Sequence, residues 1–196
     1  MNSKKAVKAL FVYVFASVFA PGLAAKGFNY TYADAGYQYL NADRFDMDAA
    51  RIETSFGLFD IMAFRLGYTR GWTNNFPTSE DPSGNPDLNE FRFGLRPHYA
   101  VTKGLDLYGD LGYFNDKFNG DRSNTDLGWI YGGGLRYQMI KTVELDVGGE
   151  YRSGDVDTGF LVINPIIRMT KQFGLSLRTS QGKDDRDYFV GLRLNF

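Results

Sequence analysis

The 196-residue sequence contains no cysteine and only one histidine. The first absence excludes thiol nucleophiles, thiolate metal sites and any disulfide framework. The second leaves His98 as the one imidazole for acid–base chemistry. Long hydrophobic runs are missing too, since nothing after residue 25 approaches the roughly 18 apolar residues of a transmembrane helix. Nor is there an excess of positive charge: Lys and Arg number 22 against 23 Asp and Glu, which leaves no footprint for nucleic acid. What the chain does have is glycine (23), phenylalanine (17) and tyrosine (13) in abundance.

The first 25 residues differ from the rest. Lys4, Lys5 and Lys8 form a basic stretch, Leu10 to Ala20 an apolar one, and Pro21 and Gly22 break it before the small Ala24 and Ala25. This is the pattern of a secretory signal. As a helix the apolar run would rise only about 20 Å, short of a hydrocarbon core of about 30 Å, so cleavage after Ala25 is expected rather than a retained anchor. The mature chain would start at Lys26. Losing three lysines leaves 19 basic against 23 acidic residues, a formal charge of −4.

Beyond that point apolar residues recur every second position, the period of a strand, in ten segments. The first, Phe28 to Asn41, sets Ala33, Ala35, Tyr37 and Tyr39 against Asp34, Gly36 and Gln38. The second, Ala49 to Phe59, sets Ile52, Thr54, Phe56 and Leu58 against Arg51, Glu53 and Ser55. The third, Ile61 to Trp72, opposes Phe64, Leu66 and Tyr68 to Arg65, Gly67 and Thr69. The fourth, Leu88 to Val101, opposes Phe91, Phe93 and Leu95 to Arg92, Gly94, Arg96 and His98.

Leu105 to Phe114 alternates Leu107 and Leu111 with Asp106, Tyr108 and Asp110, and Leu127 to Met139 alternates Trp129, Tyr131 and Leu135 with Gly132, Gly134 and Arg136. From Val143 to Arg152, Leu145 and Val147 oppose Glu144, Asp146, Glu150 and Arg152. The last three segments carry Ile163 and Ile167, then Leu175 and Leu177, then Tyr188, Val190, Leu192 and Leu194, with Arg168, Arg178 and Arg193 opposite. Only Arg70 falls on the apolar face. A soluble sandwich or lipocalin-type barrel also alternates, but it would bury this polar face and strand its charges. The pattern therefore predicts an all-β fold: a ten-stranded antiparallel up-and-down transmembrane β-barrel with its apolar face towards lipid.

Short connections at Asp60, Lys103–Gly104, Lys141 and Lys171–Gln172 alternate with longer ones at Asn41 to Asp48, Thr73 to Asp87, Asn115 to Asp126, Ser153 to Gly159 and Gln181 to Asp187. In transmembrane barrels the short turns are periplasmic. Tyr37, Tyr39, Trp72, Tyr113, Trp129 and Tyr151 would form an outer aromatic girdle, and Tyr99, Tyr137, Phe173 and Phe196 an inner one. Tyr30 and Tyr32 fall on the inward register, so either they fill the periplasmic mouth or a bulge shifts the frame.

The ending YFVGLRLNF, residues 188–196, resembles the C-terminal signature by which outer-membrane barrels are recognised by the barrel assembly machinery; Tyr188, Gly191, Leu192, Leu194 and Phe196 carry it. Together with the start FNYTYADAGYQY, residues 28–39, the mature chain resembles the small outer-membrane β-barrel proteins, particularly a diffusible-signal-factor-regulated subfamily. The resemblance implies regulated expression and a place in the outer membrane beside lipid and lipopolysaccharide, without implying a chemistry or a cofactor. A monomer is expected.

The candidate site is the interior, where nine arginines (Arg51, Arg65, Arg92, Arg96, Arg136, Arg152, Arg168, Arg178, Arg193) meet seven carboxylates (Asp34, Glu53, Asp106, Asp110, Glu144, Asp146, Glu150). All the cations are Arg, which suits bidentate pairing with carboxylates. Such a lumen is a mutually neutralised plug or a narrow selective pore; since eight strands are just filled by side chains, ten favour the plug. No catalytic or metal-binding spacing stands out. His98 lies inward, away from the long loops, and the acidic loops, with Asp43, Asp46, Asp48, Glu80, Asp81, Asp116, Asp121, Asp126 and Asp187 among them, read as solvated loops or as divalent-cation bridges to lipopolysaccharide.

Overall fold

The computed structural model describes residues 28–42, 45–72, 87–119, 124–155 and 157–196. The expected signal segment, residues 1–25, and the loop acids Asp43, Glu80, Asp81 and Asp121 lie outside them. Ten strands follow in sequence order: β1 (Tyr32–Ala42), β2 (Phe45–Gly57), β3 (Met62–Trp72), β4 (Asp87–Thr102), β5 (Leu105–Asn119), β6 (Asn124–Ile140), β7 (Val143–Ser153), β8 (Thr158–Arg168), β9 (Phe173–Gln181) and β10 (Asp185–Asn195). Each pairs antiparallel with the next and β1 pairs with β10, so the sheet closes into an up-and-down barrel. Closure removes every sheet edge and pairs the backbone strand to strand.

Alternation sends the two residue sets to opposite sides. Ile52, Phe93, Leu111, Trp129, Leu161 and Val190 are exposed on the outside, whereas Asp34, Arg51, Arg96, Asp106, Arg136 and Arg193 are buried within. The outward exception Arg70 sits at the far end of β3, where its guanidinium lies 3.8 Å from Asp87. Of the proposed girdles, Tyr37, Trp72, Trp129 and Tyr151 are exposed near one rim and Tyr137, Phe173 and Phe196 near the other.

Several stretches read from the sequence as loops are wall. β2 already begins at Phe45, β5 runs on to Asn119 and β6 starts at Asn124, so most of Asn41 to Asp48 and of Asn115 to Asp126 is strand. β10 likewise takes in Asp185 to Asp187. The cause is environmental: once a strand rises past the apolar zone, both faces meet polar surroundings and hydropathy stops alternating. The hydrogen-bond ladder continues regardless.

The seam between β1 and β10 is unbroken from Tyr32↔Asn195 to Ala42↔Asp185, so no bulge shifts the frame of the first strand. Gly36 faces Gly191 there, and a Cβ on Gly36 would collide with the Val190 carbonyl, which explains glycine at that close approach. Pro97 and Pro165 lie inside strands although they lack an N–H. Each interrupts one ladder only: Pro97 stays in register with Met62 while β4–β5 pairing skips it, and Pro165 stays opposite Leu145 while β8–β9 pairing skips it.

Candidate functional site

The lumen has a proximal mouth, at Tyr32 and Asn195, and a distal mouth, at Ala42 and Asp185. Strand register stacks the inward arginines into three tiers between them. In the proximal tier Arg193 grips Asp34 with two bonds of 2.8 and 2.6 Å. Arg136 holds Glu144 at 3.0 and 2.5 Å, and Arg168 approaches the same carboxylate at 3.1 Å.

The middle tier is a chain of shared carboxylates. Glu53 receives Arg51 at 2.6 Å and Arg65 at 2.5 Å, and Arg65 reaches on to Asp110 at 3.0 Å. Asp110 is clamped by Arg96 at 2.8 and 2.7 Å, and Arg96 continues to Asp146 at 3.2 Å. Tyr108 donates its hydroxyl to Asp146. Arg178 bridges upward, 3.6 Å from Glu53 and 3.5 Å from Glu150. In the distal tier Arg92 pairs with Glu90 at 2.5 Å, and Arg152 pairs with Glu150 at 2.8 Å and approaches Glu90 at 3.6 Å.

All nine expected arginines thus have carboxylate partners, and six of the seven expected carboxylates have arginines. Asp106 is the correction. It is fully buried on the inward face, yet among the described residues it forms no ion pair and its contact is the Phe28 backbone N–H at 3.4 Å. The segment before β1 packs beside it. Arg136 donates to the Asn29 carbonyl at 3.0 Å and its guanidinium lies over the rings of Phe28 and Tyr30. Tyr30 and Tyr32 are both 4% exposed, so they fill the mouth.

His98 packs face to face on Tyr30, ring centres 3.8 Å apart, and neither of its nitrogens has a hydrogen-bond partner among the described residues. A general base needs a nitrogen within reach of the proton it takes. The stacked, buried ring acts as packing.

Glu90 was missed by the sequence reading, although its parity with Arg92 places it inward. Asp116 and Asp187 were assigned to loops and also line the interior. Counting Glu90, Asp116 and Asp187, nine guanidinium groups face ten carboxylates among the described residues, and the apparent cationic excess disappears. Inward aromatics were also undervalued: Arg193 stacks on Tyr32 at 3.7 Å, Arg96 on Tyr108 at 3.9 Å and Arg152 on Phe160 at 4.8 Å. Cation–π contacts of this kind strengthen when desolvated. Between the tiers lie cavities of about 30 and 50 Å³, room for a few waters each.

No family model matches this chain, and no curated protein does. Solved structures do. The KdgM porin in complex with disordered oligogalacturonate is 14% identical, with a TM-score of 0.51 over 83% of this chain and 99% of that one. The NanC porin is 12% identical, with a TM-score of 0.53 over 84% of this chain and 100% of that one. At these identities the likeness is one of fold, and the fold is that of the outer-membrane β-barrels.

Proposed function

We propose that the chain is a monomeric, non-enzymatic β-barrel of the outer membrane with a closed lumen, serving a structural or surface-interaction role. The observation that carries this is the three-tier network of buried Arg–carboxylate pairs, with cavities of about 30 and 50 Å³ between them. Such pairs are costly to separate, because removing one partner leaves an uncompensated charge. The outward apolar belt and its aromatic rims support insertion in lipid.

In this reading residues 1–25 are removed on export, the proximal mouth faces the periplasm, and the distal mouth faces outward beside lipopolysaccharide. Residues Tyr188 to Phe196 engage the barrel assembly machinery. The resemblance to the diffusible-signal-factor-regulated subfamily supports expression under regulation.

The second reading is a narrow channel for small solutes or ions, favoured by the fold likeness to two porins and by the water-sized cavities between the tiers. Recording from the purified barrel in a planar bilayer separates the two. The closed barrel gives no steady single-channel steps; persistent open currents would replace it with the channel.

A further inference from the structure

At the distal mouth the lumen opens into a cavity of about 250 Å³, close to the lower end of the roughly 300–1,000 Å³ of small-molecule sites. Its floor is Glu90, Arg92 and Arg152 of the distal ion-pair tier, and its sides are apolar, with Leu88, Phe114 and Phe160 among them. From the floor across the wall, three carboxylates stand directly opposite one another on adjacent strands: Glu90 of β4 faces Asp116 of β5, and Asp116 faces Asp126 of β6. Like charges so placed repel.

Two of the three are compensated. Glu90 has Arg92 and Arg152, and Asp126 accepts the backbone N–H of Asp155 at 2.8 Å. Asp116, in the centre, has a buried Oδ1 with no hydrogen-bond partner among the described residues. On β10, Asp187 lines the same cavity; it is 5% exposed, and among the described residues its Oδ1 also has no hydrogen-bond partner. Buried carboxylate oxygens are ordinarily satisfied, so two orphans lining one cavity mark a missing cation.

The charge count agrees. Among the described residues the cavity is lined by five carboxylates, Glu90, Asp116, Asp126, Asp185 and Asp187, and by three arginines, Arg92, Arg152 and Arg186, a formal balance of −2. A bare divalent metal fits poorly, since no three carboxylates among the described residues converge to hold one. Asp116 and Asp187 instead sit on well-separated strands, with phenylalanine and leucine between the floor and the rim.

We infer that the distal vestibule binds a small organic dication, two ammonium groups on a short hydrocarbon spacer, with Asp116 and Asp187 each taking one ammonium and the Phe114 and Phe160 rings covering the spacer. Each ammonium restores the missing partner of a buried oxygen, and the rings offer both hydrocarbon contact and cation–π attraction. The site does not depend on whether the lumen conducts.

The test is calorimetric titration of the purified barrel in non-ionic detergent at low salt, with 1,5-diaminopentane, 1-aminopentane and Mg²⁺ as titrants. The diamine is expected to bind saturably at one site. The monoamine should bind roughly tenfold more weakly or worse, as should the diamine to Asp116→Asn or Asp187→Asn, for the loss of one charge-assisted contact. Absence of saturable diamine binding, equal binding of the monoamine or Mg²⁺, or undiminished binding by a folded variant overturns the assignment. Should a variant fail to fold, the three titrants on the wild type decide the matter alone.

Discussion

The ring of Tyr30 lies flat against that of His98, 3.8 Å between centres and 15° between planes. Tyr30 precedes the first strand and His98 belongs to β4, so the contact crosses the proximal mouth and fastens the incoming chain to the far wall. It also uses the molecule's only histidine as a stacking surface.

Replacing Tyr30 by Ala removes this stack and the contact with Arg136 together. A loss on the order of 3 kcal/mol is expected, as for other large aromatic truncations at buried positions. Urea unfolding of the barrel in micelles measures it. A midpoint equal to wild type would show that the segment merely rests in the mouth.

Asp34 and Arg193 close the seam as a bidentate pair, and Arg193 is 2% exposed. Asp34→Asn should cost about 3–5 kcal/mol by stranding the guanidinium. The double change Asp34→Leu with Arg193→Met should recover most of that loss, because no lone charge remains. Equal destabilisation by the single and double variants would contradict the pairing argument.

Arg65, Arg96 and Asp110 form the middle of the central tier. Truncating all three to Ala leaves Glu53 with Arg51 and Arg178, and leaves Asp146 with the Tyr108 hydroxyl. The variant should therefore fold, and it should conduct in a planar bilayer where the wild type does not. A folded but silent triple variant would mean that the proximal and distal tiers seal the lumen by themselves.

Phe196 is 70% exposed, while its backbone N–H donates to the Thr31 carbonyl at 3.1 Å and its carbonyl accepts from Asn29. Since the ring adds little packing, deletion of Phe196 should slow assembly in cells far more than it lowers the stability of refolded barrel. Comparing heat-modifiable migration in membranes with unfolding in micelles separates the two effects.

Strand number, closure and the inward set were legible because a charge facing lipid at mid-depth costs about 2–4 kcal/mol, which forces Arg51, Arg65 or Arg92 onto one parity. That constraint lapses at the rims. Asp116 and Asp187 looked like loop residues because Asn115, Lys117 and Arg186 beside them are polar too, and only the backbone ladder reveals them as wall. Glu90 was within reach, sharing parity with Arg92. The pairing of Asp106 with the chain's own Phe28 could not be read at all, since periodicity describes which face a residue takes and says nothing of a neighbouring segment folding back beneath it.

The seam has a consequence in time. Asp34 and Arg193 are 159 residues apart, so the contact that shuts the ring joins the first strand to the last. Contacts of such long separation are slow to form, because the entropy of the intervening loop is lost before they reward it. Until β10 docks, every growing sheet has two bare margins, and each can recruit another chain as readily as its own. The closing seam is therefore absent through the barrel's most vulnerable period, and survival in that interval depends on how fast the last eleven-residue strand arrives.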